Sequence, residues 1–531
     1  MLLCLKCRSA MNYNAILSKA QGLVEQECYQ SAEFLCCSLL SSSDLGAQLQ
    51  ALSSECLADT YYHRKQYKRA ASFYGQCITL LKNNWSQESF ATMIVGITMK
   101  KSKCFVALND NAGAIQEIET IPMKHKTTQV HMTLGRLYQA SKLKRLAVNS
   151  FKAALAMEPL ALEVYEILVS LGVDSSELMP YVKEAMKRDE NSPLQVGVWL
   201  PPLLKMLMSR QLSDTATCLQ ECRSIQRALF PDGNPVVLLR VLAEVAAMAN
   251  KPEEAMEHYR QIRRLDEACL DSMDDFGMLL YEGRHEAELN KLANELLAVD
   301  DKRDTGWLVA AMYCTLKEDT DKAKLLIDRV IQMRPLNACA YNFKGKLLIG
   351  VGSVEQAIIA FLQANALRKD VRTMSYLVNA QLAANKVKEA TNTARDAVVL
   401  CPKAPTSHIL LGQCLARSAT PSVVMDGIKS FQKALEIDKA NVQATALLSE
   451  AYAVQDKNHE AVACLLITLE ASPSAEANRL RMQLARCYSR LENYSAAMEQ
   501  LHMVIELDPE GGGKDAALEL ERLEQEVGDH H

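Results

Sequence analysis

Charge of one sign is the first thing this sequence lacks. Lys and Arg number 59 against 64 Asp and Glu, a formal net charge of −5 over 531 residues. No Arg/Lys cluster of the kind that tracks a phosphate backbone stands out, which points away from nucleic acid as a partner. Aromatic residues are scarce as well, at 6%, beside 21 Gly and 15 Pro; they leave little from which to build a sheet. Long apolar runs are missing too. The best candidate, Val236 to Met248, is interrupted by Arg240 and Glu244, well short of the roughly 18 residues that a membrane span needs. The opening MLLCLKCR is broken by Lys6 and Arg8 and is too short for a secretory signal. The expectation is a soluble, reduced, intracellular protein with no membrane partner.

Recognisable chemistry is the next absence. The sequence contains no GxxxxGK[ST], no HExxH and no GxSxG, the arrangements that cradle phosphate, hold zinc or present a serine nucleophile. Gly350-Val351-Gly352 has no third glycine at dinucleotide spacing and reads as a turn between helices, where a positive φ is wanted. The histidines, among them His63, His258, His285 and His459, are dispersed. Of 17 cysteines, Cys77, Cys314 and Cys464 sit at helix-interior positions, where Cys acts as a small hydrophobe. The single CxxC, Cys4 to Cys7, has no second ligand pair, and a structural zinc needs four ligands. Asn84-Trp85-Ser86 fits a glycosylation acceptor, but without a secretory signal the match is empty. These absences predict no catalytic residue, no metal and no cofactor.

What is present is a repeat. In HMTLGRLYQASKLKRLAVNSFKAALAMEP (His131 to Pro159), Leu134, Gly135 and Tyr138 share one face of a first helix. Ala147, Phe151 and Ala154 share one face of a second. Small Gly135 and Ala147 fall where the helices cross, bulky Tyr138 and Phe151 fill the space around them, and Pro159 stops the second helix. Over about 34 residues this is the tetratricopeptide pattern. It recurs as Ala58, Tyr61, Ala70 and Tyr74; as Trp307, Ala311, Ala323 and Ile327; as Gly345, Ala357, Phe361 and Ala364; and as Leu484, Ala485, Tyr488, Ala497 and Leu501. About fourteen helix-turn-helix units follow, an all-α superhelix (α-solenoid) in which each unit buries itself against its neighbours. Overpacking the crossing with Ala147→Leu is expected to cost about 1–3 kcal/mol.

Irregularities suggest three parts. After Leu160 a first helix stops at Gly172, and Asp174-Ser175-Ser176-Glu177 reads as the cap of the next. Pro201-Pro202 is expected to interrupt a first helix, and Pro231, Gly233 and Pro235 mark a bend. Residues 1–235 then form an N-terminal array and 236–510 a C-terminal array. Gly511 to Gly513 breaks the repeats before a polar capping helix and tail, 511–531. About three extra residues near Thr420-Pro421 should loop out between two helices. Almost no residue is left over for a catalytic domain.

A solenoid of this kind offers a concave groove lined by first helices. Positions near the crossing sites of the last units, Asn342, Lys346, Asn379, Gln413, Glu450, Met482 and Arg486, make a mixed polar lining suited to an extended peptide or a partner's helix. Three stretches, residues 131–164, MDDFGMLLYEGRHEAEL (273–289) and GKLLIGVGSVEQAIIAFLQANALRK (345–369), go further. They resemble the subunit 7 family of the anaphase-promoting complex, or cyclosome. The resemblance implies a non-catalytic scaffold of a multisubunit ubiquitin ligase acting in mitosis, in nucleus and cytoplasm. It implies a homodimer joined through the N-terminal half and stacked on other tetratricopeptide subunits. Met1 to Asn12 match no part of that pattern, and the long acidic tail of some relatives is absent. The alternative is an adaptor or co-chaperone that captures extended peptides or C-terminal tails. That chemistry calls for Lys and Asn converging on carboxylates, and Asn342 with Lys346 carries the pair in reversed order. An enzyme is the third reading, and the repeats leave it no room.

Overall fold

The structure, a computed structural model, describes residues 13–42, 45–84, 91–188, 195–231, 233–417, 420–471, 478–508 and 512–529. Cys4, Cys7, the segment 1–12, Trp85, Ser86, Pro473, Pro509, Gly511, His530 and His531 lie outside them. Among the described residues there are 29 α-helices and no strand. Twenty-eight of the helices fall into fourteen consecutive pairs, from Tyr13–Glu25 with Tyr29–Leu40 to Asn478–Arg490 with Tyr494–Leu507. Gly512–Asp529 follows as a single helix. The fold is an all-α tetratricopeptide-repeat array.

Local chemistry explains the unit. In the pair Thr128–Ala140 and Lys144–Met157, Thr127 caps the first helix, its hydroxyl oxygen accepting the Val130 amide at 3.4 Å and so satisfying one of the free N–H groups of that terminus. Val130, Leu134 and Tyr138 are buried on the first helix, Ala147, Phe151 and Ala154 on the second. A Cβ built on Gly135 would stand 2.7 Å from the Phe151 ring, and on Gly345 or Gly412 it would stand 2.5 Å from Phe361 or Phe431. These three crossings are therefore closed by an aromatic face on bare backbone. Ala147 has no exposed surface, so Ala147→Leu has nowhere to put its added atoms. The expected cost of about 1–3 kcal/mol appears as faster hydrogen exchange across residues 128–157, and unchanged exchange there would reject this packing.

The turn inside each pair is nearly constant. At Lys142 the chain takes φ 61°, and the Leu143 amide donates to the Tyr138 carbonyl at 2.8 Å while Lys142 donates to Gln139 at 3.0 Å. That is the Schellman closure of a helix end. Among the described residues thirteen pairs turn through a positive φ at the same place, and two of them, at Gly172 and Gly352, use glycine for it. In the remaining pair, Pro405–Ala416 with Pro421–Ile437, that position falls on Ser418, outside the described residues. The extra residues do not loop out there as expected. The second helix is 17 residues long with Pro421 at its first position, against 14 in most pairs (Val354–Leu367, for example), and its crossing residue Gly427 is displaced by the same margin. Proline at a helix start gives up only an amide that would have had no partner, so the insertion is absorbed as nearly one added turn.

A second expectation is also corrected. Pro201 and Pro202 do not break a helix; both lie inside Val196–Gln211. They remove the amides that would have reached the carbonyls of Gly197 and Val198, and the helix continues because Leu200, Leu204, Met206 and Leu207 are buried on it.

The chain packs as two compact units, 1–200 and 201–531; the division expected from the sequence falls later, after residue 235. In the first unit Leu17, Cys36, Leu57, Tyr61, Tyr74 and Cys77 belong to one core. Burial pushes the Cys77 thiol up to about 12, so it packs as a neutral apolar group. In the second unit the core runs continuously from Leu239 to Leu347 and then as smaller clusters to Leu523.

Candidate partner-binding groove

Asn342 and Lys346 project from one face of Ala338–Gly350, a helical turn apart. Asn342 is buried, and its amide nitrogen donates to the Thr373 hydroxyl at 2.9 Å. The Lys346 ammonium donates to the Glu282 carboxylate and lies 4.3 Å from the centre of the Tyr376 ring. The Tyr376 hydroxyl donates to the same carboxylate oxygen at 2.7 Å. Helices Met273–Glu282, Ala338–Gly350 and Val371–Ala383 are thus tied by one partly exposed polar knot. Burial acts to raise the Glu282 carboxyl, but the Lys346 and Arg372 charges and the two donors outweigh it and hold the group below its usual value.

The other residues named from the sequence lie apart from that knot. Asn379 is exposed and Gln413 half-buried. Glu450 accepts the Gln483 amide at 2.7 Å and faces Arg479 at 3.5 Å. Both partners stand on Asn478–Arg490, the helix that carries Met482 and Arg486. Met482 packs against the core formed by Ala485, Leu501 and Val504. Arg486 donates to Glu519 on the terminal helix at 2.7 Å. The seven positions therefore form two neighbourhoods and two isolated points.

Sequence reasoning missed the residues between them. A cavity of 280 Å³ is lined by Glu244, Asp275, Glu282, Arg368, Arg372 and Tyr376, with Ile409 and Gln443 farther along. Most of these stand on first helices of their pairs. A wider cavity of 770 Å³ shares Glu244, Asp275 and Arg368 and adds Arg240, Asp274, Arg303 and Arg334. Arg368 pairs with Asp370 at 2.9 Å, while Arg372 stays 3.8 Å from Asp275. Burial and the adjoining Asp275 push the Asp274 carboxyl up to about 7; burial raises Glu244 too, against the pull of Arg210. Such a wall holds polar side chains of a visitor by charge and hydrogen bonding. Asp274-Asp275 looks in the sequence like a routine acidic first turn, so nothing local marked it. Among the described residues no group of three or more His, Cys, Asp or Glu could hold a metal, and no helix is long and apolar enough to cross a membrane.

Comparison with known proteins fits this architecture. A tetratricopeptide-repeat family model matches residues 479–510, the last helix pair. A protein of Arabidopsis thaliana named anaphase-promoting complex subunit 7 is 26% identical over 544 aligned residues, covering 95% of this chain and 93% of the relative. The human protein of the same name is 26% identical over 474, covering 85% and 81%. This chain is similar to anaphase-promoting complex subunit 7 along most of its length. A crystal structure of the APC/C hetero-tetramer Cut9–Hcn1 superposes with a TM-score of 0.60 over 98% of each chain, at 17% identity, a likeness of fold.

Proposed function

We propose that this protein is a non-catalytic scaffold subunit of the anaphase-promoting complex, the ubiquitin ligase that drives mitotic progression. The observation that carries the reading is the end-to-end match to proteins named subunit 7, over 95% of this chain and 93% of the Arabidopsis relative. Helix pairs occupy nearly all the described residues, so the chain's surface is spent on contacts with other proteins. It joins other tetratricopeptide subunits of the complex, pairs with a second copy of itself through its N-terminal half, and works in nucleus and cytoplasm. Asn342, Lys346, Asn379, Gln413, Glu450, Met482 and Arg486 mark the groove that meets partner segments. Capture of a chaperone's C-terminal carboxylate fits less well, because Lys346, the ammonium it would use, is already held by Glu282.

Two measurements on the full chain test this. Sedimentation equilibrium should give twice the 59.0 kDa of one copy; a single mass removes the self-pairing. Affinity capture of the tagged chain from dividing cells should bring down ubiquitin-ligase activity together with other tetratricopeptide subunits. Capture of the chain with chaperones and without ligase activity would sink the scaffold reading.

A further inference from the structure

Helix pairs in an array of this kind bond mainly to their neighbours. One group of contacts in the second unit reaches farther than even the bond between Glu282 and Tyr376. The turn between Val196–Gln211 and Thr215–Leu229 meets the link between Val387–Leu400 and Pro405–Ala416. There the Lys403 ammonium donates to the Asp214 carboxylate at 2.7 Å. The Ser213 hydroxyl donates to the Cys401 sulfur at 3.5 Å, and the Cys401 thiol donates to the Gln211 carbonyl at 3.7 Å. The partners are 188 to 190 positions apart. Five helix pairs, from Val236–Met248 to Val387–Leu400, separate the two sides along the chain. The second unit thus bends round until its two ends of this stretch touch.

Each side is built without help from the other. Asp214 caps Thr215–Leu229, its carboxylate accepting the Thr217 amide at 3.2 Å and the Thr217 hydroxyl at 2.9 Å, so it is aimed before Lys403 arrives. Opposite, the Pro402 carbonyl accepts from His408 Nε2 at 2.9 Å, and the Ala404 amide donates to the Cys401 carbonyl at 3.2 Å. Burial acts to raise the Asp214 carboxyl, but the Lys403 ammonium and the two Thr217 donors hold it below its usual value. Burial pushes the Cys401 thiol up, so it keeps the hydrogen that it gives to Gln211. The bonds that join the two sides are weak ones. Sulfur is a poor donor and acceptor, and the Lys403 side chain is 62% exposed, which leaves the ion pair open to screening by salt.

We propose that residues 211–214 and 401–403 form a salt-sensitive clasp, which closes the second unit around its inner cavity and parts without any helix pair unfolding. The cavity of 280 Å³ has Ser213 in its wall on one side of the contact and Ala404 and Thr406 on the other, so parting them opens it along that edge. What gives way elsewhere is spread thinly. The five pairs between are related by small successive rotations, and a slight change in each one moves the ends apart. Two preformed sides, weak bonds between them and a compliant arc make closed and open forms close in free energy.

Cys401 reports on its own cover, since it is 2% exposed in the closed form. The test follows the rate at which N-ethylmaleimide alkylates each cysteine of the full chain, read by peptide mass spectrometry. Raising the salt from about 0.05 M to about 0.5 M should speed Cys401 about fivefold, the factor set by losing a partly exposed ion pair. Cys414, 1% exposed within Pro405–Ala416, should keep its rate. Lys403→Gln and Asp214→Asn should react fast even in low salt, while asparagine still caps the helix; Lys403→Arg should stay slow. The radius of gyration from small-angle scattering should rise together with the Cys401 rate. Ser213→Cys sets a second thiol against Cys401, and diamide, which takes up both thiol hydrogens as it is reduced to a hydrazine, should join 213 to 401 and make the radius indifferent to salt. A Cys401 rate that ignores salt and both charge-removing substitutions overturns the proposal, as does failure of the 213–401 bond to form. Equal acceleration of Cys414 would mean that the helix pair unfolds, and faster alkylation at constant radius would mean that the 401–404 link frays alone; either result overturns it too.

Discussion

Phe361→Ala is expected to destabilise the second unit by about 3–5 kcal/mol, the usual cost of emptying an aromatic core site. The ring has no exposed surface, lies 5.8 Å from the Tyr376 ring, and rests on bare backbone at Gly345. Truncation leaves a hole between two helices whose own hydrogen bonds resist collapse, so the cavity persists. Gly345→Ala on its own costs about 1–3 kcal/mol, because the added methyl would stand 2.5 Å from that ring. The two effects should not add. With the ring gone the methyl has room, and the double variant should be more stable than the sum of the single losses requires. Repeat arrays do not melt in one step, so hydrogen exchange across residues 338–367 is the proper readout. Strict additivity would mean that the ring and the glycine do not touch.

That pair was legible in the sequence for a simple reason. Gly135 and Phe151 are 16 residues apart, as are Gly345 and Phe361, and only a helix, a fixed turn and a second helix bring such positions face to face. The turn itself was less legible, because Lys142, Glu318 and Glu492 adopt a positive φ that their side chains do not advertise. Stretches of three residues were misplaced where chemistry allows two outcomes. Pro421 could open a loop or start a helix, and Pro201 could end a helix or be carried by burial around it; in both the helix won. The groove was half visible. Spacing placed Asn342 and Lys346 on one face. Their partners Thr373 and Glu282 lie 31 and 64 positions away, a distance set by the rotation between successive repeats, which accumulates from packing and leaves no mark at any one residue.

The same long reach gives the last expected result. Lys346→Met keeps the apolar stem and deletes the ammonium, leaving the partly exposed Glu282 with the Tyr376 hydroxyl as its one remaining side-chain donor. The expected cost is about 1–2 kcal/mol, between that of a surface pair and that of a buried one, since the Glu282 side chain keeps 34% of its exposure. A purely nearest-neighbour array would confine the damage to repeats next to 338–367. Here protection should fall both in 273–299 and in 371–400, since Glu282 and Tyr376 are 94 positions apart and share one hydrogen bond. Acid should mimic the substitution. Glu282 is held below its usual 4.5, so the unfolded chain takes up its proton first; the stabilisation is complete above that value and is lost as pH falls through it toward the folded one. The parent and Lys346→Met should therefore differ fully near neutral pH and converge in acid. A gap that stayed constant down through that range would show that the ammonium acts by packing alone, and that the knot between these three helices is not electrostatic.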